Sequence, residues 1–122
     1  MEKRIFRGGD LFQARDYTNC QGIDGKDKYL QCAPVCSCIP NGYGLYDMAG
    51  NTWGWTSDWY GERYYRISPS KDPFGPVGGE YKVLRGGSWN YLPINLRVAK
   101  REYHDPLGSS SGGLRCVSSP KG

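Results

Sequence analysis

Residues 41–60, NGYGLYDMAGNTWGWTSDWY, place three Trp, three Tyr and four Gly within twenty positions. Buried Trp and Tyr bring large apolar areas but need partners for their N–H and O–H groups, so they demand defined geometry. Gly between them permits a left-handed backbone or close chain approach. The stretch therefore predicts a compact, irregular, tightly packed and turn-rich core. Within it, residues 44–49 (GLYDMA) predict one helical turn, ended by Gly50 and Asn51. Polar and aromatic residues alternate over 52–60, which predicts a strand.

The rest of the chain fits the same picture. A length of 122 residues suits one domain, residues 1–122, with no room for a second. Eighteen Gly, an aromatic share of 14% and few Leu, Ile and Val favour a loop-rich α+β or β architecture over a helical bundle. Residues 1–19 predict a short apolar start, a Gly-Gly turn and a loop holding Asp16 and Asn19. Residues 20–31 are dense in Gly, Asp and Lys and predict a surface loop, and 33–40 (APVCSCIP) a short extended piece. Residues 61–79, with Pro69, Pro73 and Pro76, predict a long connection. A strand is expected from Lys82 until Gly86-Gly87, a strand or short helix over 96–103, a loop over 104–113 and a terminal strand over 114–117.

No apolar run is long enough to span a membrane, and no secretory apolar region follows Met1-Glu2-Lys3-Arg4. The expected compartment is by default the cytoplasm, with no membrane partner. The net charge of +4 is uneven: residues 1–59 carry six Lys/Arg against seven Asp/Glu, residues 60–122 ten against five. A basic half can meet nucleic acid or an anionic surface. Its cations are single and separated, however, which favours a solvated face and internally paired Arg, and disfavours nucleic acid. Arg85, Arg97 and Arg101 lie near the Gly-Gly turn, and their fork of donors suits tying loop carbonyls and Asp58 together. Five Cys, at 20, 32, 36, 38 and 116, are an odd number, and with no export signal a reduced state is the default. C-x3-C-x-C departs from the paired spacing of structural zinc sites, so buried or idle thiols are the expectation. His104 beside Asp105 is no triad either, since neighbouring side chains rarely converge.

GYGLYDMAGNTWGWTSDWY, VLRGGSWN, LRVAKR and GGLRC occur in this order across residues 34–117. In motif, order and spacing they resemble the C-terminal part of the sulfatase-modifying-factor family, which includes the formylglycine-generating enzymes and relatives without that activity. The resemblance implies a fold related to C-type lectins: short twisted antiparallel strands, little helix and much ordered loop. It also implies a partial domain lacking the N-terminal half, with apolar surface and sheet edges left uncovered. A homo-oligomer or a complementing polypeptide is the expected partner.

The active enzymes bind copper through two cysteines after the GGS turn, and soft thiolates suit Cu(I). Here GGSWNYLPINLR has Asn90 and Asn95 in that stretch and no cysteine. No copper is expected, and the resemblance argues against formylglycine generation. Structural calcium is the implied cofactor, because hard Ca2+ takes carboxylate, amide and carbonyl oxygens from folded loops. By position, one site would use the Asn19 and Asp27 side chains with the Cys20 and Tyr29 carbonyls. A second would use Asp47 with the Gly50 and Thr52 carbonyls, but Gly54 stands where the family has a Glu. The alternative is that Asp27 and Asp47 cap turns.

With no catalytic residue assigned, the expected function is a non-catalytic binding or interaction module for a protein or small-molecule ligand. Its surface would be Asn90, Tyr91, Asn95, Tyr103, His104 and Asp105, on the loops after GGSW and before GLR. This mixture of residue types suits adaptable contacts. Some relatives are diversified at these positions by retroelements that mutate adenines, a pattern these residues also suit. The competing readings are a split or degenerate oxidase completed by a partner polypeptide, and a nucleic-acid binder whose affinity would fall steeply with salt.

Overall fold

A computed structural model describes residues 14–21, 27–108 and 111–120. Regular structure is sparse: helix α1 is Ala14–Tyr17, and the strands are β1 Trp53–Trp59, β2 Lys82–Arg85, β3 Glu102–His104 and β4 Gly112–Gly113. Two 3-10 turns, Tyr64–Arg66 and Pro93–Leu96, interrupt the loops. The strands form one sheet in the order β3-β2-β1-β4. β1 and β3 each pair antiparallel with β2, whereas β4 lies parallel to β1 through Trp53↔Gly112 and Gly54↔Gly113.

The alternation over 52–60 forms the long central strand, as expected, but not a clean two-faced one. The β1–β2 register shifts between Trp55↔Leu84 and Trp59↔Lys82, so the two-residue period breaks within the strand. β2 runs into Gly86 (φ 96°) and Gly87 (φ 78°), the left-handed turn that ends it. The segment 96–103 is neither one strand nor one helix. Arg85 Nη1 donates to the carbonyls of Val98 (3.2 Å) and Lys100 (2.9 Å), and the chain turns there before β3 begins. The terminal strand falls at Gly112–Gly113 and not at 114–117, whose Leu114 and Val117 are exposed. Residues 14–17, expected in a loop, make one helical turn. The expected apolar start and Gly-Gly turn of residues 1–9 lie outside the described residues.

Residues 44–49 form no helix. The Asn41 side-chain oxygen accepts the N–H groups of Tyr43 (2.9 Å) and Leu45 (3.0 Å), and Gly44, Asp47, Gly50 and Asn51 all have positive φ. The left-handed backbone at Gly44 and Asp47 is what excludes a right-handed helix here. Side chains of this stretch face outward: Tyr43 is 87% exposed, and Leu45 and Met48 are exposed too. The expected packed core is therefore confined to the second half of the 41–60 stretch. Buried apolar residues are Trp53, Val83, Leu84, Leu96, Cys20 and Ala33, and beside them lie buried Thr18, Asn19, Asp27, Asn51 and Ser88. No helix among the described residues is long and apolar enough to cross a membrane.

Candidate functional site

Asn51 organises the site. Its backbone N–H donates to the Asn19 carbonyl (2.8 Å), and its carbonyl accepts from Trp89 N–H (2.8 Å). Its side-chain oxygen accepts from Ala33 N–H (2.8 Å) and Asn19 Nδ2 (3.2 Å), while Nδ2 donates to the Ala33 carbonyl (3.1 Å). Three separate loops are thereby tied to one buried residue, two through its side-chain amide and the Trp89 segment through its backbone carbonyl. Sequence reasoning took Asn51 only as a helix stop. The available signal was a Gly-Asn pair, the residues that best tolerate a left-handed backbone.

Trp89 leads into the segment after the Gly-Gly turn. The Ser88 hydroxyl donates to Asn90 Oδ1 (2.5 Å), Tyr91 N–H donates to the Ser88 carbonyl (3.1 Å), and the Tyr91 carbonyl accepts Gln21 N–H (3.0 Å). The Tyr91 ring meets buried Trp53 edge-on at 5.2 Å. Asn95 closes the Pro93–Leu96 turn through its N–H to the Leu92 carbonyl (2.9 Å), and Leu96 packs against Cys20. Asn90 is exposed, while Tyr91 and Asn95 are half-buried.

The remaining predicted surface residues lie elsewhere. Tyr103 stacks on Tyr60 (4.2 Å, 26°), just past the end of β1, and His104 meets Trp55 edge-on at 6.5 Å. Asp105 Oδ1 accepts Leu107 N–H (2.8 Å), and His104 Nδ1 lies 3.3 Å from the Asp105 carbonyl. All three are exposed. The six residues thus form two groups, Asn90/Tyr91/Asn95 and Tyr103/His104/Asp105. Tyr91 meets the first residue of the seven-residue β1 and Tyr103 the residue after its last. A strand of that length spans about 20 Å.

The Arg residues serve the loops. Arg85 donates to the carbonyls already named, Arg97 Nε to the Ile94 carbonyl (3.1 Å), and Arg101 to the carbonyls of Gly61 (3.1 Å) and Glu62 (3.4 Å). Asp58 takes no hydrogen bond from them.

The first calcium site implied by the resemblance fits its residues. Asn19 is 0% exposed, and its Nδ2 faces two acceptors, the Gln31 carbonyl (2.7 Å) and Asn51 Oδ1. The amide orientation is therefore determined, and Oδ1 is left buried without a hydrogen-bond partner. Asp27 is 6% exposed and takes Cys20 N–H (2.9 Å) on one carboxylate oxygen and Tyr29 N–H (3.1 Å) on the other. An orphaned amide oxygen on Asn19, next in sequence to the Cys20 N–H that holds the buried Asp27 carboxylate, is the kind of hard-oxygen donor that suits such an ion. Asp27 also caps that turn, and each oxygen keeps a free lone pair.

The second set does not fit a cation. Asp47 Oδ2 accepts Cys36 N–H (2.8 Å), and a cleft of about 460 Å3 separates this region from β1. Arg85 and Arg115 line that cleft beside Asp47, and Arg115 is held on the Tyr46 carbonyl. A Cβ on Gly54 would meet only the Arg85 carbonyl oxygen, at 3.5 Å, so packing does not require glycine there. Two guanidinium groups and no second acid disfavour Ca2+. Among the described residues, no three His, Cys, Asp or Glu side chains gather into a metal centre, and no disulfide joins any of the five cysteines.

Comparison with known proteins agrees with this architecture. A sequence model of the sulfatase-modifying factor enzyme 1-like domain (FGE-sulfatase) matches residues 2–120. The formylglycine-generating enzyme of Streptomyces coelicolor is 46% identical over 97 residues, covering 76% of this chain and 31% of that protein. The inactive C-alpha-formylglycine-generating enzyme 2 of Mus musculus is 33% identical over 132 residues, 98% of this chain and 38% of that one. Among solved structures, Treponema denticola variable protein 1 superposes with a TM-score of 0.69 at 28% identity, over 87% of this chain and 37% of that one. The chain spans about a third of the length of these relatives. With its short-stranded sheet and loop-held core, the chain belongs to the FGE-sulfatase (sulfatase-modifying factor enzyme 1-like) family.

Proposed function

We propose that this chain is a non-catalytic binding module of its family. The observation that carries this reading is the segment after the Gly-Gly turn: it has no thiol, and Tyr91 and Leu96 are packed there as structural residues. Cys20, beside Leu96, is a single buried thiol. One soft ligand does not make the paired thiolate site that Cu(I) chemistry uses. A relative described as inactive and a structural neighbour described as variable are compatible with a family scaffold used without that chemistry. A protein ligand meets both Asn90, Tyr91 and Asn95 at one end of β1 and Tyr103, His104 and Asp105 at the other, whereas a small-molecule ligand meets one of the two groups.

Further polypeptide, a second copy or a complementing chain, covers the face around Tyr43. There Ile39, Met48 and Val98 line an apolar cleft of about 820 Å3. The purified protein, supplied with copper and a cysteine-containing peptide, is expected to consume no oxygen above the protein-free control. Sedimentation at micromolar concentration is expected to show an oligomer, or a complex once the partner is present. Copper-dependent oxygen uptake overturns the non-catalytic reading. Strictly monomeric material, alone and with candidate partners, overturns the partner.

The Asn19/Asp27 loop would hold calcium through the two side chains, with the Cys20 and Tyr29 carbonyls beside them. When bound, the ion supplies structural charge compensation. Added calcium is expected to raise the midpoint of thermal unfolding, and Asp27→Asn to abolish that rise. At one hundred times the dissociation constant the stabilisation is about 2.7 kcal/mol. An unchanged midpoint at millimolar calcium sinks this assignment.

A further inference from the structure

The end of β1, the Tyr64–Arg66 turn and the loop through Pro73–Pro76 enclose a further cleft, of about 360 Å3. That is within the size range of small-molecule sites, roughly 300–1,000 Å3. Trp59, Tyr64 and Tyr65 form its aromatic walls, and Asp58, Arg85 and Arg101 its charged groups. Its lining shares no residue with the Asn19/Asp27 pair or with the segment after the Gly-Gly turn.

The cleft's chemistry selects among ligands. Aromatic walls with a carboxylate suggest an organic cation, but resident cations already stand over one face of these rings, leaving the exposed side of Tyr65 open. Lys82 Nζ stands 3.8 Å from the centre of the Trp59 ring, and the Arg101 guanidinium lies over both Tyr60 (5.0 Å) and Tyr65 (4.2 Å). A cationic ligand would meet resident cations on those faces. An anionic ligand would meet Asp58, whose carboxylate takes no hydrogen bond or ion pair from the described residues.

A neutral ligand that both donates and accepts suits the remaining groups. Asp58 offers free acceptors. The Tyr64 hydroxyl oxygen accepts Gly75 N–H (3.0 Å), which leaves its own proton to donate. Arg101 uses two of its guanidinium N–H groups on carbonyls and keeps others. Tyr65, 61% exposed, adds apolar ring surface at the mouth. Gly75 keeps the acid accessible: its φ is +82°, and a Cβ there would stand 3.2 Å from Asp58 Oδ2. Sugar hydroxyls donate and accept at once, and sugar C–H faces pack on aromatic rings. We propose that this cleft binds a neutral saccharide unit through Asp58, Tyr64 and Arg101, against the Tyr65 ring.

The test is an amide-resolved NMR titration of the folded protein with a panel of neutral methyl hexosides and N-acetylhexosaminides. Tetramethylammonium and inorganic phosphate serve as cationic and anionic probes. At least one glycoside is expected to saturate, moving the amides of Asp58, Tyr64 and Gly75. Asp58→Asn and Tyr64→Phe are each expected to weaken that glycoside roughly tenfold, about the effect of one lost polar contact, with the other amides unmoved. Saturation by the free glycoside identifies a small sugar. Saturation only by a glycopeptide bearing the same sugar identifies a glycan on a partner, and either result supports the site. The proposal is overturned if no saccharide moves these amides up to about 10 mM, a threshold weaker than 4.1 kcal/mol of binding. Preferred binding of tetramethylammonium or phosphate there, or glycoside shifts confined to another surface, overturns it as well.

Discussion

Gly50→Ala is expected to leave no cooperatively folding protein. Gly50 has a φ of +75°, and a Cβ built on it would run into the Thr18 hydroxyl and the Asn19 backbone carbonyl. The first could rotate aside, though it would lose its hydrogen bond to the Ala49 carbonyl. The second is main chain, and the next residue, Asn51, donates its N–H to it. Gly50 N–H in turn donates to the Gly86 carbonyl (2.7 Å), so moving this backbone disturbs the turn that ends β2. Strain and overlap together exceed about 4 kcal/mol, a large part of the 5–15 kcal/mol that stabilises an ordinary domain. Gly42→Ala is the control, because no atom lies within 4 Å of a Cβ there. It is expected to change stability by no more than about 0.5–1 kcal/mol. Denaturant unfolding followed by Trp fluorescence compares the two. A Gly50→Ala protein within 1 kcal/mol of the parent, on the same scale, would contradict the packing described.

Asn51→Ala is the second large effect. It removes the acceptor for Ala33 N–H, the donor to the Ala33 carbonyl and the contact with Asn19, all buried. An unsatisfied buried N–H costs about 1–3 kcal/mol, and members of a network cost more together than singly. The backbone adds to this, because Asn51 has a φ of 62°. Ala is poorer than Asn in that conformation by about 1 kcal/mol. The sum is an expected loss of about 3–5 kcal/mol. Asn51→Gly separates the two causes: it relieves the backbone and keeps the network broken, so it is expected to recover about 1 kcal/mol of that loss. Equal stability of the Ala and Gly variants would remove backbone strain from the account. A loss under 1 kcal/mol in both would remove the network.

The central strand and the Gly-Gly turn were legible in the chain because each rests on a local rule. Alternation sets Trp53–Trp59, and paired glycines stop Lys82–Arg85. The helical turn expected over 44–49 does not form because Gly44 and Asp47 take left-handed backbone conformations that a right-handed helix excludes. No window of composition displays those conformations. The last strand was misplaced because its partner, Trp53, lies about sixty residues earlier and accepts a parallel neighbour only two residues long.

The candidate site divides in the same way. Asn19 and Asp27 are named by motif position alone, and the structure shows both to be buried. The split of the six surface residues between the two ends of β1 could not be read from their types. Nor could the cleft beside Asp58, which joins residues 56–101 through a glycine in a Pro-rich connection that sequence alone marks only as a linker.

The polar character of the core has a thermal consequence. Heat capacity on unfolding rises with newly wetted apolar surface and falls with newly wetted polar surface. Among the described residues, the buried set mixes apolar side chains such as Trp53 and Leu84 with Thr18, Asn19, Asp27, Asn51, Ser88 and Ser111, while many large side chains are already wet in the fold. The increment per residue therefore lies below the usual 12–15 cal/mol/K, and the stability curve is broad and shallow. The stability of such a protein is expected to change little with temperature around its maximum, and cold unfolding to be displaced to lower temperature. Any polypeptide that covers the apolar face restores the missing curvature, and so makes the complex more sensitive to temperature than the chain by itself.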